Sequence, residues 1–509
     1  MLAKVFSGAT VGLDGVLVEV EVDVSSKGFP SFKIVGLPNK AIEEAKERVF
    51  TAIRNSGAKF PDHRVTINLA PANLPKEGPA YDLPLAVGIL IASGQMAANL
   101  KETFFLGELS LDGSLRHTNG VLPLALLAKK KKLKKVFLPQ VDASEAAVVG
   151  GLKVYPIPNL VKLFSHFSGF KKVKPFPKTD FSSLVSDPQA EFDLSEIKGQ
   201  EFAKRALEIS AAGGHNLFLK GLPGSGKTML ARSLPGILPD LTEEEALEIT
   251  KIYSITGNLP EKSAIVKNRP FRSPHHTVSQ VGIIGGGARP RPGEVSLAHR
   301  GVLFLDEFPE FPRSVLESLR QPMEDGRVTI SRAAGTVTYP AEFILIAASN
   351  PCPCGWLGSD KKECKCLPGQ IIRYQKKISG PILDRIDLHV QVPAVSVEKL
   401  TSDNVISESS KSVQKRVQVA RDQQGQRFKK TKIKANSEMK NKDIKKHCLL
   451  DKDCLSLLRQ AVSQMNLSAR AYFKTIKIAR TIADLAGEGK IKIIHLAEAL
   501  QYRPKDQFY

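Results

Sequence analysis

The chain has 509 residues and a formal net charge of +21, with 25% charged and 42% apolar side chains. That length is too great for one core and implies roughly two to four domains, while the composition excludes overall disorder. The positive charge favours polyanions such as nucleic acid or anionic membrane, unless it only decorates the solvated faces of a Lys-rich protein.

In chain order, residues 16–24, "VLVEVEVDV", alternate valines with Glu19, Glu21 and Asp23, the period of a half-buried strand. "NKAIEEAKERVFTAIRNSG" then predicts a helix: Asn39 can cap it, Ile42, Ala45, Val49, Ala52 and Ile53 form one stripe, and Gly57 stops it. Further apolar stretches complete an α/β domain over 1–170. Residues 171–190, rich in Pro, Ser and Lys without periodicity, predict a linker. A second α/β region covers 191–398, and 399–509 is helical and basic. Between 401 and 509 there are 23 Lys and Arg against 11 Asp and Glu, so the positive charge is concentrated there. No apolar run reaches the roughly 18 residues of a membrane span, and the amino terminus has no signal-peptide pattern. The expected location is cytoplasmic, where a cysteine cluster binds metal more often than it forms disulfides.

"HNLFLKGLPGSGKTML" is an apolar strand, a loop of Gly221, Leu222, Pro223, Gly224, Ser225, Gly226, Lys227 and Thr228, and a helix start. Glycines let successive backbone N–H groups cradle phosphate. Lys227 is expected to reach the β and γ phosphates of ATP, and Thr228 to hold Mg²⁺. A later apolar strand, "GVLFLDE", ends in Asp306 and Glu307. Asp306 suits the Mg²⁺ shell and Glu307 suits orienting and polarising an attacking water. A third, "FILIAASN", ends in Asn350, which by itself is ordinary turn chemistry.

Cys352, Cys354, Cys364 and Cys366 form a CxC, nine residues, CxC pattern within 352–366. Four thiolates so close suit a closed tetrahedral structural Zn²⁺ site. Reduced free thiols and a redox switch are the other readings. Cys448 and Cys454 lie elsewhere and need no such reading.

From about residue 191 to 505, the ordered segments "GLPGSGKT", "FRSPHHTVS", "PRPGEVSLAHRGVLFLDE", "EDGRVTISRAAGTVTYPAEFILIAASNPCPCG" and "SGPILDRIDLH" resemble the magnesium chelatase-like AAA+ ATPases, in the wider clade of the replicative MCM helicases. The resemblance implies a multidomain α/β fold: a P-loop AAA+ αβα domain (191–398, with the Cys-rich insert) and a C-terminal helical lid (399–509). It makes Asn350 the sensor-1 residue. Arg385, which alone reads equally as a salt-bridged surface residue beside Asp384 and Asp387, becomes an arginine finger offered to the neighbouring subunit of a homo-hexamer. Arg470 becomes the lid's sensor-2 arginine, with Arg480 the weaker candidate. The hairpin before sensor 1 points into the ring channel in this clade, which makes Arg327 and Arg332 candidates to touch DNA; solvated hairpin arginines are the competing reading.

Two basic stretches support DNA: Lys267, Arg269, Arg272, Arg289, Arg291 and Arg300, against Glu294 alone, and nine Lys or Arg within 427–447. Such charge gives sequence-independent phosphate binding, and the scarcity of aromatic residues argues against base stacking.

"NLAPANLPKEGPAYDLPLAVGILIASG" and "FLGELSLDGSLRHTNGVLPLALLAKKKKL" make residues 1–170 similar to the domain found ahead of this ATPase, itself similar to the Lon protease domain. The matched nucleophile position is Ala80, after Gly78 and Pro79, and the matched base position is Leu122. With neither hydroxyl nor amine there, the domain is expected to be protease-dead. The lysine run 129–135 is either an anion site or a solvated helix end.

The full-length pattern resembles the ComM/YifB group, implying an ATP-driven DNA motor in branch migration during recombination or natural transformation, with recombination proteins as partners and no membrane. A metal-insertion motor of magnesium chelatase type and a peptide-handling scaffold are the alternatives. Against the former, no Asp-x-Ser-x-Ser motif occurs in the chain.

Overall fold

Alternation places every second side chain on one face of a pleat. In β2 (Asp14–Val24), Val18, Val20, Val22 and Val24 are accordingly buried. The computed structural model describes all residues except 1, 26–28, 37–39, 73–75, 77, 180, 182–189, 260–262, 289, 333–334, 361, 395–406 and 505–509. Asn39, Arg289, much of the expected linker and the start of the expected lid therefore lie outside the described residues. Among those described, no helix is long and apolar enough to cross a membrane.

The chain condenses into two compact units, 1–185 with 243–267, and 186–242 with 268–509. In the first, β2 joins β1 (Leu2–Val11), β3 (Ser31–Val35), β4 (Arg64–Ala70), β5 (Thr103–Phe105), β6 (Lys135–Pro139) and β7 (Lys153–Ile157) in the order β3-β4-β2-β1-β5-β6-β7. The pairs β1–β2 and β2–β4 are antiparallel and the others parallel. Helix α1 (Lys40–Asn55) buries the whole predicted stripe, and Gly57 follows it at φ +82°. Helix α2 (Asp82–Ala92) is buried nearly all round. It lies so close to the sheet that a Cβ on Gly88 would stand 2.4 Å from Val22 Cγ2. Helix α3 (Val121–Lys130) leads into the lysine run, where only Leu133 is buried, as in a solvated helix end. Residues 243–267, which the sequence reading leaves inside the ATPase region, belong to this unit. Their helix, Glu243–Thr256, is held in part by Gly120 N donating to Ser254 O at 3.1 Å.

The second unit is built on a five-stranded, wholly parallel sheet: β8 (Leu217–Gly221), β9 (Phe271–Arg272), β10 (Val302–Leu305), β13 (Ile344–Ser349) and β14 (Leu388–Val392), in the order β9-β10-β13-β8-β14. β10 and β13 are buried along their whole length, as strands covered on both faces are. β11 (Arg327–Arg332) and β12 (Gly335–Pro340) form a separate antiparallel hairpin. Helix α4 (Glu201–Gly213), α5 (Lys227–Ser233) and the carboxyl-terminal helices α6 (Ser410–Phe428), α7 (Lys452–Gln464), α8 (Ala469–Leu485) and α9 (Ile493–Gln501) complete the unit. All of them contribute to the same core as the strands, α5 through Leu230 and Ala231 and α8 through Ile476, Ile478, Ala479 and Ile482.

Candidate active site

Because β8, β10 and β13 run parallel and adjoin, their carboxyl ends share one edge of the sheet, where open α/β folds place their ligands. The P-loop, Asp306 and Asn350 follow these three strands and are brought together there. Gly224 and Gly226 take φ +73° and +88°, conformations natural to glycine, and nothing lies within 4 Å of where a Cβ would stand. Gly221 is needed for a different reason, since a Cβ there would meet Val392 O at 2.3 Å.

Lys227 Nζ donates to Gly221 O and Leu222 O at 2.8 Å each and to Asn350 Oδ1 at 3.2 Å. Burial pushes its pKa down, opposed by Asp306, so an arriving phosphate would favour the ammonium form. Thr228 Oγ1 donates to Asp306 Oδ2 at 2.8 Å. This hydroxyl and carboxylate form the oxygen pair that Mg²⁺ prefers. Ser225 Oγ is buried without a hydrogen-bond partner, a group that a phosphate oxygen can satisfy. The residues therefore fit a nucleotide phosphate with its Mg²⁺.

Glu307 sits at φ +50°, unusual for a residue with a side chain, and Asp306 Oδ1 accepts from its N–H at 2.9 Å. Its Oε2 lies 3.3 Å from His276 Nδ1. His276 belongs to "FRSPHHTVS", and no spacing in the sequence singles it out as the partner of Glu307.

Arg385 and Arg470 converge elsewhere. Arg385 Nη2 donates to Glu324 Oε2 and Nη1 to Pro381 O at 2.8 Å. Arg470 donates to Glu324 Oε1 at 3.2 Å and to Asp384 Oδ2 at 3.1 Å. Arg385, with Arg470 adding to it, holds the Glu324 carboxyl below its usual range. Neither arginine hydrogen-bonds to Lys227, Thr228, Asp306 or Asn350. Asp387, the other acid beside Arg385, is buried and pairs with Lys474 at 2.8 Å. Lys474 lies one helical turn beyond Arg470 on α8, so this pair fastens the segment bearing Arg385 to the helix bearing Arg470. Arg480 is buried against Asp484, Gly489 O and Glu488 O and is structural.

Arg327 and Arg332 are exposed on β11, whose Val328 and Ile330 face inward. The basic run before them is largely engaged within the fold: Arg269 donates to Pro239 O and Arg300 O, Arg272 pairs with Glu294, and Arg300 pairs with Glu342 and Glu438. In the later basic stretch Arg427 is held by Asp484, whereas Lys429, Lys430, Lys432, Lys440, Lys442, Lys445 and Lys446 are exposed.

Among the described residues, the sulfur atoms of Cys352, Cys354, Cys364 and Cys366 all lie within 4.8 Å of one another. Three of the separations are 3.5, 3.6 and 3.7 Å, too long for a disulfide. They approach the edge of about 3.8 Å expected for four thiolates around Zn²⁺ at about 2.3 Å. The donor set and spacing therefore fit a tetrahedral ion. Cys448 and Cys454 are buried and separate from this group.

In the first unit, Ala80 lies in the short turn Pro79–Tyr81 before α2. Leu122 is buried at the start of α3, its N–H donating to Glu145 Oε1 at 2.7 Å. Neither side chain offers a nucleophile or base.

Three family models match the chain: subunit ChlI of Mg-chelatase over 20–142, magnesium chelatase subunit ChlI over 193–400, and its C-terminal part over 407–503. The chain is 44% identical over 506 residues to competence protein ComM of Haemophilus influenzae, covering 99% of this chain and 97% of that protein. It is 42% identical over 507 residues to protein YifB of Escherichia coli, covering 99% and 98%. The magnesium-chelatase 38 kDa subunit of Rhodobacter capsulatus is 26% identical over 179 residues, 31% of this chain and 50% of that subunit. With its P-loop at the sheet edge and this full-length likeness, the chain belongs to the magnesium chelatase-like AAA+ ATPases, in their ComM/YifB group.

Proposed function

We propose that the chain is an ATP-hydrolysing, ring-forming motor on DNA, a branch-migration helicase or translocase serving recombination or natural transformation. The observation that carries this reading is the division of its phosphate chemistry. Lys227, Thr228, Asp306 and Asn350 meet at one sheet edge, while Arg385 and Arg470 meet on Glu324 and hydrogen-bond to none of them. In this reading Thr228 and Asp306 hold Mg²⁺, Lys227 and Asn350 hold the γ-phosphate, and Glu307 orients water. Arg385 reaches the phosphate of the neighbouring subunit, which calls for a closed ring, here a homo-hexamer, and Arg470 serves as the sensor-2 arginine of the lid. An arginine supplied in this way neutralises charge in the transition state.

The exposed Arg327, Arg332 and lid lysines suit phosphate-backbone contacts without sequence readout. Near full-length likeness to a competence protein supports a DNA pathway, with recombination proteins as partners. The first unit is read as a Lon-like module without peptidase chemistry, and the four cysteines as a structural Zn²⁺ site. ATPase rates measured with single-stranded, duplex and four-way DNA, and with protoporphyrin, test the reading. Stimulation by branched DNA and indifference to protoporphyrin are expected; the reverse assigns the chain to metal insertion instead. Lys227→Ala is expected to weaken ATP binding in an equilibrium titration.

A further inference from the structure

The cysteine loop touches the nucleotide site directly. It begins two residues after Asn350, whose Oδ1 accepts from Lys227 Nζ. Its first cysteine, Cys352, is buried, and Cys352 O accepts from Gly355 N at 2.9 Å, closing a turn. Gly355, at φ +83°, brings that turn against the P-loop so closely that a Cβ would stand 2.4 Å from Pro223 Cγ and 2.8 Å from its Cδ. On the other side, Gln375 Nε2 donates to Pro351 O at 3.2 Å. The turn therefore backs the P-loop, and two of the four cysteines, Cys352 and Cys354, lie within it. Without an ion the four cysteines are thiols joined by weak S–H contacts and by the Cys354 N–H, which donates to Cys366 Sγ at 3.4 Å; with one they form a closed cross-link.

We infer that metal bound by Cys352, Cys354, Cys364 and Cys366 holds the P-loop in its nucleotide-receiving shape through the Gly355–Pro223 contact, so that zinc and nucleotide bind cooperatively. The inference rests on the reading of the cysteines as a metal site. It adds a regulatory consequence: loss of the ion lowers affinity for ATP although the ion touches no phosphate. Coupling between sites is reciprocal, so nucleotide must tighten zinc by the same factor.

The test uses the full chain with zinc alone as the metal probe. Zinc per chain is measured by elemental analysis, and the dissociation constant of a fluorescent ATP analogue is measured before and after chelation and after zinc is restored. Saturation with the analogue should also strengthen zinc retention against a chelator. Both effects are expected at about fivefold or more, the lower end for linked sites. Pro223→Ala keeps all four cysteines and removes the ring against Gly355. In this variant zinc should still bind, but saturating nucleotide should no longer protect it. This comparison needs no metal-free protein, so it stands even where chelation unfolds the chain. Bound zinc with unchanged nucleotide affinity on removal, or equal protection in Pro223→Ala, overturns the coupling and leaves the metal site standing. A chain that takes up no zinc removes the metal site and the coupling with it.

Discussion

Asp82 and Glu145 in the first unit and Asp387 in the second are buried acids held in opposite ways. In the first, burial dominates: it pushes Asp82 up to about 6 despite the Arg48 guanidinium at 2.8 Å, and Glu145 up to about 7 despite the Leu122 N–H. In the second, burial would raise Asp387 as well, but Lys474 and His215 more than reverse it and hold the carboxyl well below the usual range. Glu324 is likewise lowered, by Arg385 and Arg470. Asp387 and Glu324 are thus kept ionised beside Arg385 and Arg470, whereas Asp82 and Glu145 titrate nearer neutrality inside the first unit. In the proposed reading the same contrast appears between Ala80 and Leu122, which carry neither hydroxyl nor amine, and Lys227, Asp306 and Glu307, which carry an amine and two carboxylates.

Breaking the ionised pairs should therefore affect turnover and stability far more than neutralising an acid in the first unit. The largest effect is expected from Arg385→Ala, a loss of about 10³- to 10⁵-fold in ATPase rate with nucleotide binding retained. Mixing this variant with Lys227→Ala subunits should restore part of the activity, because each supplies what the other lacks; absence of rescue at every ratio would count against a shared site. Glu307→Gln should lower the rate by about 10²- to 10⁴-fold while ATP stays bound, read by single-turnover hydrolysis and an equilibrium titration. An unchanged turnover number would remove Glu307 from the chemistry.

Lys474→Met leaves Asp387 buried without its cation and should destabilise the second unit by about 3–5 kcal/mol in denaturant unfolding. If it costs no more than a surface substitution, the buried pair does not fasten α8.

The smallest effect is expected from Glu145→Gln. Because the folded-state pKa of Glu145 is raised from 4.5 to about 7, the folded chain keeps a proton that the unfolded chain loses between those values. Its contribution is most favourable below about pH 4.5 and declines as pH rises through 7. The glutamine variant should gain about 2–3 kcal/mol relative to wild type between pH 5 and 8, seen as a melting-temperature difference that grows with pH. A difference independent of pH would show that burial does not set the titration of Glu145.

Local chemistry was legible where it depends on a few consecutive residues. The strand at 16–24 and the stripe of α1 followed from periodicity, because alternate or every third and fourth side chain must share a face. The P-loop was readable because its glycines, Lys227 and Thr228 act through backbone spacing within one turn, and the cysteines because four ligands within 15 residues can close on one ion. The lysine runs were readable as charge, but not which cations are exposed: Arg269, Arg272, Arg300 and Arg427 are engaged by partners distant in the chain.

The sequence by itself determined the P-loop pattern, the acids and the asparagine that end the later strands, and the strands and helices that present them. Tertiary structure alone decided that Arg385 and Arg470 share Glu324 across separations of 61 and 146 residues, that His276 meets Glu307, and that Gly355 presses on Pro223. It also decided that residues 243–267 join the first unit. These contacts depend on the order in which parallel strands pair and on which helix faces are buried against them. Neither leaves a period or a fixed spacing in the chain, so side chains far apart in sequence meet without a local signal.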